Sequence, residues 1–288
     1  MEEKPDSLFS RTDLHKFAGA RVTIVGLARS GIAAANLLAQ HGARVRVSEM
    51  KNMPDSVEAI AKLSPGVEIE TGGHKRETFL KAHLIVISPG VPWSLPLLEE
   101  ARITGIPIYS EIEIASRFTK VPIIAITGTN GKTTTTHLVG KFLEASNKRI
   151  VKTGNIGFPL SQAIIDDRGT DFFVTEISSF QLEGIKTFQP TISSILNISD
   201  DHYDRHTNFQ EYLSQKIKIF QNQNPNQFLV LNGDDGVLKP LANKARPSTW
   251  LFSKHSVLQQ GSFLENGKII FSHNQQREEI LPINEIKL

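Results

Sequence analysis

Twice in 288 residues, a short apolar run rich in β-branched side chains ends in a glycine turn and passes directly into a helix-forming segment. The first is Arg21 to Val25, then Gly26-Leu27-Ala28-Arg29-Ser30-Gly31, then the Ala/Leu-rich stretch Ile32 to His41. The second is Val121 to Thr127, then Gly128-Thr129-Asn130-Gly131-Lys132-Thr133-Thr134, then a helix through about Ala145. A continuous apolar strand followed by a helix reads as a parallel strand buried on both faces. Further strand patterns at Arg44–Ser48, Leu84–Ser88, Phe172–Glu176, Ile192–Asn197 and Phe228–Asn232 alternate with helical ones. This predicts an α/β fold: a Rossmann-like domain over 1–118, then a P-loop-type mononucleotide-binding domain over 119–288. Near the end, Asn266-Gly267 between two apolar runs predicts a hairpin with a tight turn.

Composition sets outer limits. Lys and Arg total 32 against 30 Asp and Glu, too balanced for nucleic acid to be a bulk electrostatic partner. No run approaches the ~20 apolar residues of a membrane span, and the N-terminus lacks a basic-then-apolar leader. The expectation is a cytoplasmic protein without a membrane or nucleic-acid partner. The chain has no cysteine, which excludes thiolate nucleophiles and Cys-ligated zinc.

The two glycine turns carry different chemistry. Gly26-x-Ala28-x-x-Gly31, with Glu49 beyond the second strand, nearly matches a dinucleotide fingerprint. A diphosphate at the helix N-terminus or a bare strand-to-helix turn both fit it. Gly128-x-x-Gly131-Lys132-Thr133 is shorter than the usual P-loop, because Ile126 stands where its first glycine would be. It still offers backbone N–H groups and a lysine for phosphates, and a threonine hydroxyl for Mg²⁺. ATP binding is favoured over a solvated turn.

Three further features bear on a site. Asp200-Asp201-His202-Tyr203-Asp204-Arg205-His206 gathers carboxylates and imidazoles just beyond an apolar strand, where open α/β sheets bind ligands. Glu176 closes another strand beside the phosphate loop and is placed to hold Mg²⁺, or else acts as a helix N-terminal acid. At about 100° per residue, Phe209, Tyr212, Leu213, Ile217 and Phe220 share one helical face, and Lys216 falls in its middle. Burial disfavours an ammonium ion, so Lys216 reads either as functional or as a snorkelling side chain.

Thr127 to Thr134, Gly154-Asn155-Ile156-Gly157, Glu176-Ile177-Ser178-Ser179-Phe180-Gln181-Leu182, Asp201 to His206 and Lys216 together resemble the Mur ligase family in order and spacing. So, in the first half, do Gly26 to Gly31, Ser88-Pro89-Gly90-Val91-Pro92 and Ser110-Glu111-Ile112-Glu113. The resemblance implies that the first domain binds the UDP part of a nucleotide sugar rather than NAD. Arg29, Ser30 and Gly90 would contact the uridine diphosphate, with Glu49 at the uracil end. The family more often has Asp-Thr where this chain has Glu49-Met50.

The implied reaction is ATP-dependent amide formation through an acyl phosphate, adding D-glutamate to UDP-N-acetylmuramoyl-L-alanine in peptidoglycan precursor synthesis. The resemblance assigns ATP to Gly128, Thr129, Asn130, Gly131, Lys132, Thr133 and Thr134, with Lys132 neutralising the transferring phosphoryl group. Thr133 and Glu176 would hold one Mg²⁺; His202 and a carbamylated Lys216 would hold a second. Asn155, Ser178 and His202 would orient the muramoyl-peptide, and the enzyme would be a monomer. Family members carry a further C-terminal domain, so a chain ending at Leu288 is expected to lack it and to bind better than it ligates. The rival readings are a sister ligase adding L-alanine to UDP-N-acetylmuramate and a non-catalytic UDP-sugar-binding module.

Overall fold

The computed structural model describes residues 14–199 and 208–286. They form two compact units. One runs to Val121 and includes Lys148–Phe173 and Phe180–Phe188. The other comprises Pro122–Asn147, Val174–Ser179 and the chain from Gln189 onward. The units therefore do not follow a single cut in the sequence near residue 118.

The first unit is built on β1 (Arg21–Val25), α1 (Arg29–Gln40), β2 (Arg44–Ser48), α2 (Val57–Ile60), β3 (Glu68–Glu70) and α3 (Arg76–Leu80). It continues with β4 (Leu84–Ile87), α4 (Pro96–Ile103), β5 (Ile108–Ser110) and α5 (Glu111–Ala115). Its strands pair in parallel in the order β3-β2-β1-β4-β5. Successive side chains on a strand point to opposite faces. Val22, Ile24, Leu84 and Val86 accordingly enter one core with α1 residues Ala34, Ala35 and Leu38, while Val25, Ile85 and Ile87 enter another with Phe79, Leu98 and Ala101. Both faces are covered, which is why β4 is an uninterrupted apolar run and β1, after Arg21, is broken only by Thr23, whose hydroxyl donates to the Thr78 carbonyl.

The remaining elements are β6 (Ile123–Thr127), α6 (Lys132–Ala145), β7 (Ile150–Gly154), α7 (Leu160–Ile165), β8 (Phe172–Glu176), α8 (Ser179–Glu183) and β9 (Ile192–Ile195). After them come α9 (Phe209–Ile217), β10 (Phe228–Asn232), β11 (Ser248–Ser253), β12 (Gly261–Glu265), β13 (Lys268–His273) and β14 (Gln276–Pro282). The second sheet has the order β14-β13-β12-β11-β10-β9-β6-β8-β7. Its β6-β9-β10-β11-β12 run is parallel, and the β12-β13-β14 edge is antiparallel. The expected hairpin is present, with Asn266 at φ 51° and Gly267 at φ 73° as a type I′ turn requires. A second tight turn at Asn274 and Gln275 leads into β14. That strand escapes a hydrophobicity reading because Gln276–Ile280 is exposed.

In both sheets the first strand of the unit lies between neighbours reached by connections running in opposite directions. In open α/β sheets, ligands bind at such a switch point, outside the carboxyl ends of the strands. Each glycine turn starts there.

Candidate functional site

The corner after β1 is held by its own neighbours. Gly26 adopts φ +94°, and a Cβ there would lie 3.0 Å from Val91 Cγ2. A Cβ on Gly31 would lie 2.1 Å from the Gly26 carbonyl oxygen and 2.6 Å from Ser88 Oγ, so α1 can begin this close to β1 only with glycine. Ser88 Oγ donates to the Gly26 carbonyl (3.0 Å). Glu49 turns onto the loop: its carboxylate accepts from the Leu27 N–H (2.6 Å) and the Lys51 N–H (2.9 Å). Behind it, the buried Glu70 accepts from Ser48 Oγ, Thr78 Oγ1 and the Lys75 N–H. Burial opposes ionisation of Glu70, but these donors outweigh it and hold its carboxyl below the ordinary 4.5.

Arg29 and Ser30 lie in the first turn of α1, whose cap residue Ala28 makes no side-chain hydrogen bond. The first N–H groups of this helix are therefore open to an anion. The Arg29 guanidinium donates to the Gly157 carbonyl (3.4 Å), bringing α1 to the turn that carries Asn155. Gly90 is exposed in the turn after β4. Arg29, Ser30, Glu49 and Asn155 thus belong to one unit.

The corner after β6 is denser in charge. Gly128 has φ +154°, and a Cβ there would press on Leu196; Gly131 has φ +80° and opens α6 without a side-chain cap. The Thr129 N–H donates to the Asn197 carbonyl (3.0 Å). Asn130 and Asn197 exchange two hydrogen bonds, N–H to Oδ1 (2.8 Å) and Nδ2 to the carbonyl (3.0 Å). Lys132 turns back on the loop, donating to the carbonyls of Gly128 (2.9 Å) and Thr129 (2.7 Å). Thr133 Oγ1 donates to Glu176 Oε2 (2.8 Å), joining the first turn of α6 to the end of β8. Thr134 is exposed beside it, and Ser178 follows Glu176 half-buried.

Lys216 is 1% exposed, as the helical periodicity of α9 predicts. Its Nζ donates to the Gly128 carbonyl (2.9 Å) and lies 4.6 Å from the centre of the Tyr212 ring. The Tyr212 hydroxyl in turn meets Thr129 Oγ1 (3.2 Å). The structure therefore gathers Gly128–Thr133, Glu176 and Lys216 around one loop. His202, with the rest of Asp200 to His206, lies outside the described residues. Among the described residues there is no cluster of three or more His, Asp or Glu side chains arranged for a metal.

The residues present fit a magnesium nucleotide. The helix of 14 residues leaves its first N–H groups without intrahelical partners, and two lysines border the loop. Thr133 and Glu176 supply hard oxygen donors already in contact, the set Mg²⁺ prefers. Asn197 and Tyr212 are the participants that local sequence does not announce. Asn197 ends a strand pattern and Tyr212 sits on an apolar helical face, so only the folded chain shows that both serve the loop.

The model of the Mur ligase middle domain matches residues 126–287, and that of the MurD-like N-terminal domain of Mur ligases matches residues 20–110. A UDP-N-acetylmuramoylalanine–D-glutamate ligase from Acidobacterium capsulatum is 43% identical over 277 residues, covering 94% of this chain and 59% of that protein. The ligase of the same name from Koribacter versatilis is 43% identical over 274 residues, covering 94% and 60%. The chain thus spans about three fifths of the length of these curated relatives. Among solved structures, a UDP-N-acetylmuramate:L-alanyl-gamma-D-glutamyl-meso-diaminopimelate ligase from Neisseria meningitides superposes with a TM-score of 0.56 at 16% identity, covering 90% of this chain and 86% of that one. A murein peptide ligase from Psychrobacter arcticus gives a TM-score of 0.54 at 19% identity, covering 91% and 61%. At these identities the two structures establish a shared fold.

Proposed function

This chain belongs to the Mur ligase family, and on that premise we propose that it serves an ATP-dependent ligase joining D-glutamate to UDP-N-acetylmuramoyl-L-alanine. The observation that carries the nucleotide half is the Thr133–Glu176 contact at the mouth of the Gly128–Thr133 loop. The choice of D-glutamate rests on the MurD-like match over 20–110 and on the names of the relatives.

In this reading the substrate carboxylate attacks the γ-phosphorus of ATP and expels ADP; the amine of D-glutamate then displaces phosphate from the resulting acyl phosphate and loses a proton as the amide forms. Anionic groups converge in the first step, so the protein's work is positioning and charge neutralisation. The N–H groups at the start of α6, which lack intrahelical partners, bind phosphate oxygens. Lys132, now on two loop carbonyls 2.7 and 2.9 Å away, exchanges them for the transferring phosphoryl group. Thr133 and Glu176 would hold Mg²⁺, which supplies charge neutralisation between the phosphates when bound. Asn155 and Ser178 orient the muramoyl-peptide, and Arg29, Ser30 and Gly90 take the uridine diphosphate, with Glu49 bracing the loop. A carbamate on Lys216 would turn a buried amine into an oxygen ligand for a second Mg²⁺ shared with His202. The burial of Lys216 supports this, because carbamate formation needs an uncharged amine.

Calorimetric titration of the 288-residue protein tests the reading. UDP-N-acetylmuramoyl-L-alanine and ATP with Mg²⁺ should each bind, and NAD should not. Binding of NAD without UDP-sugar would overturn the assignment of the first loop. Glu176→Gln should weaken ATP binding about tenfold in Mg²⁺ and leave UDP-sugar binding unchanged. Amide formation from D-glutamate and UDP-N-acetylmuramoyl-L-alanine, compared with L-alanine and UDP-N-acetylmuramate, separates the two ligase readings.

A further inference from the structure

The motif Ser110-Glu111-Ile112-Glu113 places two carboxyl groups on the short helix α5, and both are buried. They do different things. Glu113 is fully engaged: it accepts from Arg117 (2.5 Å), from Thr187 Oγ1 (2.6 Å) and from the N–H groups of Lys186, Thr187 and Phe188. Glu111 makes one hydrogen bond, to Ser161. Its Oε1 accepts from the Ser161 N–H (2.7 Å), while Oε2 has no hydrogen-bond partner, and neither does Ser161 Oγ. Leaving polar atoms buried and unpaired costs stability, so a sequence optimised for packing alone would replace this acid with an apolar residue.

What Glu111 holds lies next to the substrate loop. Ser161 is the second residue of α7, and its N–H is one of the groups a helix start leaves without an intrahelical partner. The turn just before α7 is Gly154 to Pro159, which carries Asn155. Three other contacts pin it. The Gly154 N–H donates to the Phe158 carbonyl (2.9 Å), Arg29 reaches the Gly157 carbonyl, and Gly157, at φ +68°, packs where a Cβ would lie 2.7 Å from the Lys152 carbonyl oxygen. The turn is thus fixed at its base by its own backbone, in the middle by α1, and beyond its end by Glu111.

We propose that Glu111 is a positioning residue: by accepting from Ser161 it sets where α7 begins, and so holds the Asn155 turn in place for the sugar-peptide end of the substrate. This rests on the reading that Asn155 orients that end. Burial pushes the Glu111 carboxyl up, and a glutamine in its place keeps the size and an acceptor oxygen for the Ser161 N–H. Glu111→Gln keeps the acceptor, whereas Glu111→Met keeps the volume and removes it.

Two readouts on the 288-residue protein decide the matter. Hydrogen exchange should quicken at the amides of 154–158 in Glu111→Met by about tenfold or more, stay unchanged at 26–31, and return to the parent rate in Glu111→Gln. In titrations, Glu111→Met should lose about tenfold in affinity for UDP-N-acetylmuramoyl-L-alanine while UDP binds within about twofold of the parent, with Glu111→Gln again restored. Unchanged exchange at 154–158 overturns the proposal, as does an equal loss for UDP and UDP-sugar. If the parent protein binds neither ligand, the functional reading fails, and the exchange result still decides whether Glu111 positions the turn.

Discussion

The corners at Gly26–Gly31 and Gly128–Thr133 share a plan: buried strand, glycine turn, helix N-terminus, and a wall supplied by the residues after an adjacent strand. Ser88 and Val91 form that wall after β4, and Leu196 and Asn197 form it after β9. Their polar supports differ. The first turn is braced by a carboxylate, Glu49, on a loop N–H, with a second buried acid, Glu70, behind it. The second is braced by two lysines on the Gly128 carbonyl and by a threonine–carboxylate pair. The same backbone corner thus carries two different polar linings. One offers helix N–H groups and an arginine, and the other adds two lysines held on loop carbonyls and a threonine–carboxylate pair.

The glycines give the largest test of that contrast. Gly31→Ala drives a methyl into the Gly26 carbonyl and should cost about 3 kcal/mol or more in urea unfolding. Gly131→Ala meets only Leu196 Cδ1 at 3.7 Å, so its cost is the left-handed φ alone, about 1–2 kcal/mol. Equal costs would mean that the two corners are built alike after all. Lys216→Ala comes next. It should reduce affinity for ATP with Mg²⁺ about tenfold, roughly 1.4 kcal/mol, and leave UDP-sugar affinity untouched, as paired titrations would show. The smallest effect is acid sensitivity of the first corner. Because the folded-state pKa of Glu70 is depressed, its contribution is complete above about 4.5 and is lost as pH falls through the folded value. The parent protein should therefore lose more stability than Glu70→Gln between pH 7 and about pH 3. Equal losses would remove Glu70 from the account.

The strands β1, β4, β6 and β8 could be read directly from the chain, because burial on both faces leaves a nearly continuous apolar signal. The strands β3, β7, β11 and β14 could not. The first is three residues long, β7 mixes Lys152 and Thr153 into its run, β11 has only Trp250-Leu251-Phe252 between polar residues and is half-buried along most of its length, and β14 is an exposed edge. Lys216 could be placed because a helix repeats every 3.6 residues, which puts a lone lysine on an apolar face without any tertiary information. Asn197 had no such signal, since its partner Asn130 is 67 residues away and their pairing follows from β9 lying beside β6.

Glu111 and Glu113 mark the same divide. Their residue types, spacing and membership of a motif are plain in the sequence. That one carboxyl is saturated by five donors while the other keeps an unpaired oxygen against α7 depends on which distant backbone N–H groups the fold delivers to each.

The sequence by itself determined the α/β class, the two glycine corners and the chemistry each could offer, because burial period, φ-permissive glycines and local charge are short-range properties. The tertiary structure alone decided which strand walls each corner, which carboxylate meets Thr133, and that segments 148–173 and 180–188 pack with the N-terminal unit. Those are long-range pairings, fixed by which buried donors and acceptors must find each other once water is excluded.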